Sequence, residues 1–200
     1  MNDEFITRTR EFFAARAATW DVKFGDDMPV YAAAIAEAGI ARGGVAVDAG
    51  CGTGRALPAL RDAVGPDGTV IGLELTPQML AEATARGRSG AARLLIVGDA
   101  RRLPLAAGRV DAIFAAGLLS HLPDKSAGLA ELARVTRPGG RLILFHPVAR
   151  ATLAARHGRV ISPDEILSPG PLAREATAAG WDLATYDDGP DRFLAIAVRR

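Results

Sequence analysis

Cysteine is almost absent from this chain: Cys51 is the single one among 200 residues. One thiol forms no internal disulfide, and a reducing compartment is expected. Lysine is nearly as scarce, with only Lys23 and Lys125, and aromatic residues make up 6%. No apolar run reaches the roughly 18 residues that a membrane-spanning helix requires. The formal charge is +1 with both signs interspersed, which indicates neither a nucleic-acid groove nor a membrane surface. Asp3, Glu4, Arg8, Arg10 and Glu11 keep the first residues from reading as a signal peptide. A cytoplasmic protein of one domain with an ample core is expected.

Glycine is plentiful instead, and three glycines organise the chain. In Val45-Ala-Val-Asp-Ala-Gly-Cys-Gly-Thr-Gly54 a short apolar run closes on Asp48, as a buried parallel strand does. Gly50, Gly52 and Gly54 then predict a tight turn that lets backbone approach a ligand. The leucines and alanines up to Leu60 predict a helix whose first N–H groups point back at that turn.

Before this cradle, residues 3–18 carry Phe5, Ile6, Phe12 and Phe13 among charges and predict an amphipathic helix. The polar and aromatic residues 19–27 should interrupt it, and a second helix should run from Pro29 to Ala38 and stop at Gly39. After the cradle, strands are predicted at 69–74, 93–97, 110–115 and 141–145. Between them lie a helix opened by Thr76 and Pro77 and another capped by Asp124. Such alternation means a doubly wound parallel sheet. Residues 147–170 read as irregular, broken by Pro147, Pro163, Pro169 and Gly170. A helix at 172–179 and strands at 181–186 and 193–198 follow. The turn between those two strands permits only an antiparallel pair. The last strand is apolar on both faces, so it belongs inside the sheet with the sixth at the edge.

The spacing G-x-G-x-G differs from the G-x-G-x-x-G that seats a pyrophosphate. Asp48 sharpens the distinction, because an acid would repel a phosphate and suits an amine or cationic centre. Its competing reading is a turn-capping Asp. Glu74 ends the second strand, where a carboxylate can accept both hydroxyls of a ribose. Asp99, after the third, suits an adenine amino group. The competing reading for either acid is a purely structural cap on the following helix. All three stop strands at the carboxyl edge, where such sheets bind ligands.

On these residues the chain resembles the class I S-adenosylmethionine-dependent methyltransferases. Val47 to Gly54 looks like their first motif, Glu74 like their second acid, and Gly98-Asp-Ala-Arg-Arg-Leu-Pro104 like their adenine motif. Arg137-Pro-Gly-Gly-Arg-Leu-Ile-Leu144 looks like the approach to their fifth strand. Residues 111–124 are similar to the small-molecule members of the ubiquinone/menaquinone type. The resemblance implies a Rossmann-like seven-stranded sheet of order 3-2-1-4-5-7-6 with its last strand antiparallel. Residues 1–40 would form a helical cap and 41–146 the cofactor-binding core. Residues 147–170 would be a substrate-side segment and 171–200 a helix and terminal hairpin. It implies S-adenosyl-L-methionine as cofactor, S-adenosyl-L-homocysteine as product, and no metal. Gly50, Cys51 and Gly52 would meet the methionine moiety, with Asp48 near its amino end. Glu74 would hold the ribose, Leu75 and the Ala100 N–H would lie on the adenine, and Asp99 would bind its amino group. Ala116 and Gly117 would run alongside the methionine part, and Trp20 would close over the cofactor or pack in the core.

Displacement at a sulfonium needs positioning first and a general base only if the acceptor must lose a proton. His121 and His146 follow the fourth and fifth strands on the ligand side and are the candidate bases; His157 reads as a surface or lid residue. The fourth strand lacks the Asn-Pro-Pro-Tyr pattern of nucleic-acid N-methylation, and no basic patch is present. A small-molecule acceptor is expected, in a pocket built from residues 5–28, 117–121 and 146–170, for a monomer or homodimer. Two other classes compete: a methyltransferase-like subunit or sensor without turnover, and a nicotinamide-dependent dehydrogenase.

Overall fold

The computed structural model describes residues 2–156 and 158–200. Seven strands form one sheet in the order β3-β2-β1-β4-β5-β7-β6. They are β1 (Val45–Ala49), β2 (Thr69–Glu74), β3 (Leu94–Val97), β4 (Val110–Ala116), β5 (Thr136–His146), β6 (Trp181–Asp188) and β7 (Phe193–Arg199). The first five are parallel, and β7 lies antiparallel between β5 and β6. The helices are α1 (Asn2–Ala14), α2 (Trp20–Phe24), α3 (Met28–Ala38), α4 (Leu57–Val64), α5 (Pro77–Ala85), α6 (Lys125–Val135), α7 (Arg150–Arg156) and α8 (Pro169–Ala178).

Alternation along the strands divides the core into two layers. Leu194 and Ile196 of β7 pack with α3 and α4 through Tyr31, Ile35, Leu57 and Leu60. Phe193, Ala195 and Ala197 face the other layer, with Leu129, Leu132, Leu172 and Trp181. A strand covered on both faces gains burial from every residue, which holds β7 inside the sheet. Trp181 is fully buried and its indole N–H donates to the Leu129 carbonyl at 3.0 Å, so its polar edge carries no desolvation penalty.

Four local expectations change. Residues 19–27 do not merely interrupt α1 but contain α2, which ends at Gly25. Residues 147–170 are not wholly irregular, because α7 forms before the first internal proline at Pro163. The strand predicted at 141–145 joins its neighbour earlier, through Thr136 opposite Val110, and the chain bulges over 137–140 before Arg141 meets Ala112. Thr76 stands at the start of α5, but its hydroxyl makes no cap hydrogen bond. Asp124 does cap α6, accepting the Ala127 N–H at 2.9 Å. Asp111 proves structural: it accepts the Val45 N–H at 2.7 Å and pairs with Arg137, fixing where β1 begins.

Candidate active site

The site forms where β1 stops. The N–H groups of Gly50 and Cys51 both donate to the Leu73 carbonyl, at 2.8 and 2.9 Å, which turns the chain away from the sheet. Gly50 and Gly54 hold φ of 74° and 78°, a region that L side chains rarely adopt. At Gly54 a Cβ would meet Leu57 Cδ1 at 2.9 Å, so the helix that follows could not pack down. Past this turn opens a cavity of about 650 Å³.

Three carboxylates reach its wall from adjacent strands. Asp48 is 2% exposed, and its Oδ2 has no hydrogen-bond partner. Burial, with a smaller contribution from the Glu74 charge, pushes its pKa up to about 8. Glu74 Oε2 accepts the Gly52 N–H at 3.0 Å and Oε1 accepts the Thr76 N–H at 2.9 Å. Burial raises its pKa, and those N–H groups oppose the rise. Asp99 accepts the Arg101 backbone N–H at 2.9 Å and pairs with the Arg101 guanidinium at 2.6 Å. Glu74 and Asp99 therefore bring only their remaining lone pairs to a ligand. Asp48 brings a buried oxygen with nothing on it. The Cys51 thiol beside them is held protonated by burial and by the two acids, so it is not a nucleophile.

The N-terminal helices close one side of the cavity. Thr53 Oγ1, on the glycine turn, donates to Asp21 of α2 at 2.6 Å, and Arg88 bonds Asp21 at 2.5 Å. Burial opposes ionisation of Asp21, but the bonds from Thr53 and Arg88 outweigh it and the pKa falls. Buried Arg55 pairs with Asp27 at 2.7 Å and donates to the Gly25 carbonyl. Trp20 lines the cavity and its ring stands 5.4 Å from that of Phe13.

His121 packs edge-on to Phe13 of α1, with ring centroids 5.0 Å apart. Its surface is exposed, yet enough protein surrounds it that desolvation, aided by the nearby His146, lowers its pKa. His146 Nδ1 lies 2.9 Å from the Val148 carbonyl and 3.1 Å from the Val148 N–H. Desolvation lowers its pKa too, with Val148 opposing and Arg156 assisting. Both imidazoles are neutral at neutral pH, as a proton acceptor must be.

The structure brings every sequence-predicted site residue to this one cavity. Trp20, Asp48, Gly50, Cys51, Gly52, Glu74, Leu75, Asp99, Ala100, Ala116, Gly117, His121 and His146 all line it. His157 lies outside the described residues. Sequence reasoning missed Tyr31, Arg55, Arg156 and Arg159 in the wall, and the Asp21–Thr53–Arg88 latch. No local signal marks that latch, because its members lie 32 and 67 residues apart. Among the described residues no group of three or more potential metal ligands forms, and no helix is long and apolar enough to cross a membrane.

A methyltransferase-domain family model matches residues 47–144. A malonyl-[acyl-carrier protein] O-methyltransferase of Hahella chejuensis is 33% identical over 140 residues, covering 68% of this chain and 48% of that protein. A demethylmenaquinone methyltransferase of Bacillus licheniformis is 36% identical over 104 residues, covering 52% of this chain and 45% of that one. Among solved structures, magnesium protoporphyrin IX methyltransferase of Synechocystis PCC 6803 with bound SAH superposes with a TM-score of 0.72. It is 21% identical, covering 98% of this chain and 100% of that one. The chain thus matches less than half the length of these two curated relatives.

Proposed function

This chain belongs to the class I S-adenosylmethionine-dependent methyltransferases, and from that premise we propose that its cavity methylates a small-molecule acceptor. The observation that carries the proposal is Asp48. A buried carboxyl oxygen without a partner, at the mouth of a glycine turn, suits a ligand's ammonium and repels a phosphate. The residues present therefore fit S-adenosylmethionine and argue against a dinucleotide.

Bound S-adenosylmethionine supplies an electrophilic methyl group on a sulfonium. Asp48 would hold the amine, and Glu74 would take the ribose hydroxyls on the lone pairs that Gly52 and Thr76 leave free. Asp99 and the Ala100 N–H would bind adenine, with Leu75 along the ring. The backbone at Gly50, Cys51, Gly52, Ala116 and Gly117 would line the methionine arm, under Trp20. With both partners held in line, loss of translational freedom on binding supplies much of the acceleration. Where the acceptor carries a proton, His146 or His121 would take it.

Relatives named for malonyl-[acyl-carrier protein] and demethylmenaquinone support an acceptor that is not a nucleic acid. The proposal includes action in the cytoplasm as a monomer or homodimer, consistent with the balanced charge of +1. Calorimetry with S-adenosylmethionine and S-adenosylhomocysteine tests the reading: both should bind, one per chain, and Asp48→Asn should weaken both. No binding by either defeats it. Binding without transfer of labelled methyl to any of a broad acceptor panel would favour a cofactor-holding subunit instead.

A further inference from the structure

Four guanidinium groups line the cavity, and three are already matched to carboxylates. Arg55 pairs with Asp27 at 2.7 Å, Arg101 with Asp99 at 2.6 Å, and Arg159 with Glu165 at 3.3 Å. Arg156, the last residue of α7, has no carboxylate partner among the described residues. The Arg159–Glu165 pair is loose, with the two side chains 58% and 35% exposed. Pairs this exposed contribute little to stability, so Arg159 can exchange Glu165 for another anion.

Charge is divided along this cavity. Its acids come from the ends of β1, β2 and β3 and from the residue before α3. Arg156 and Arg159 come from the chain that follows β5, beyond β4 in the sheet order. The same cavity is lined by Ile6, Phe12 and Phe13 of α1 and by Leu153, three residues before Arg156 on α7, so the guanidinium groups share it with apolar surface. The Arg156 charge also acts on the His146 imidazole and helps to lower its pKa, so the guanidinium bears on a candidate base. A guanidinium offers parallel N–H donors that match the two oxygens of a carboxylate or phosphate.

We propose that the methyl acceptor is a small anion whose apolar body rests on Ile6, Phe13 and Leu153, with its carboxylate or phosphate held by Arg156 and, after exchange from Glu165, by Arg159. This specificity rests on the methyl-transfer reading of the same cavity. It differs from a role for Arg156 on the cofactor's own carboxylate, which would tie the residue to cofactor affinity.

The test is calorimetric, on the chain saturated with S-adenosylhomocysteine. Three probes share one body: biphenyl-4-carboxylate, biphenyl-4-yl phosphate and the neutral biphenyl-4-carboxamide. At least one anion should bind about tenfold or more tighter than the amide, the scale of one charge-assisted bond, and the better anion identifies the group. Arg156→Gln should abolish the preference while leaving S-adenosylhomocysteine affinity and the melting temperature unchanged. Equal binding of amide and anions overturns the proposal, as does an Arg156→Gln variant that loses cofactor affinity instead. If S-adenosylhomocysteine does not bind at all, the methyl-transfer reading fails separately. The same titrations on the chain alone then still decide the anion preference.

Discussion

Asp48 and Glu74 end neighbouring parallel strands, and the Glu74 charge adds to burial in opposing ionisation of Asp48. The two acids are not equivalent. Glu74 is held by two backbone N–H groups, whereas one Asp48 oxygen is left bare. One acid shapes the turn, and the other keeps an unbonded oxygen.

That difference makes stability depend on pH with a defined sign. Asp48 ionises near the usual 3.8 when unfolded and at about 8 when folded. Between those values the folded chain binds the extra proton, so stability should fall as pH rises from about 4 to 8. Asp48→Asn should flatten this slope and raise unligated stability at pH 8 by at least ~1 kcal/mol. Urea midpoints across that range check it; a slope of the same steepness in the variant would exclude Asp48 as its source.

Cofactor binding should release a proton from the same group. An ammonium placed on Asp48 favours the carboxylate, so near pH 7 binding should discharge up to about one proton per chain. Titrating S-adenosylhomocysteine in two buffers of different ionisation enthalpy measures this. An identical observed enthalpy in both would mean that no proton moves.

Glu74→Ala should damage fold and site together. It strands the Gly52 and Thr76 N–H groups, and each buried unsatisfied donor costs ~1–3 kcal/mol. Glu74→Gln keeps a carbonyl oxygen for one of them and should lose less stability. It should still weaken cofactor binding, by ~1–3 kcal/mol, because the charge-assisted bonds proposed to the ribose would be lost. Equal unfolding midpoints for Ala and Gln variants would contradict the role of those two N–H bonds.

The latch between α2 and the glycine turn should control access to the cavity. Asp21→Asn weakens its bonds to Thr53 and Arg88 and should speed proteolysis before Gly25 while barely moving global unfolding. A double-mutant cycle between Asp21 and Arg88, read on the local opening free energy that the cleavage rates report, should give a coupling of about 0.5–3 kcal/mol. Unaltered cleavage in the single variants would show that packing, not the latch, holds the cap.

For the histidines, neutrality sets the expected pH profile. Both pKa values lie below the usual 6.5, so a histidine base loses its proton at unusually low pH. Turnover should rise with pH through an inflection below 6.5. If His146 is the base, His146→Ala should lower kcat by roughly 10²–10⁴ with little change in cofactor affinity. A plateau that begins well above neutral pH would point to another base.

Much of this was legible in the residues. Strands β1 to β5, the antiparallel end and the acids Asp48, Glu74 and Asp99 follow from apolar runs, glycine punctuation and strand-end chemistry. Each of those signals is local. The helix α7 and the bulge at 137–140 were not legible, because short elements there are decided by what packs on them.

Periodicity and turn chemistry are properties of neighbouring residues, so the sequence by itself determined the strands and the edge at which the three acids gather. Pairing between distant side chains is not written into any window of the chain. Only the tertiary structure decided that Glu74 is already bonded twice, that Asp99 leans on Arg101, that Asp21 ties down Thr53, and that Arg156 lines the cavity with no carboxylate partner among the described residues. Each depends on where the folded backbone brings donors and acceptors within about 3 Å of each other.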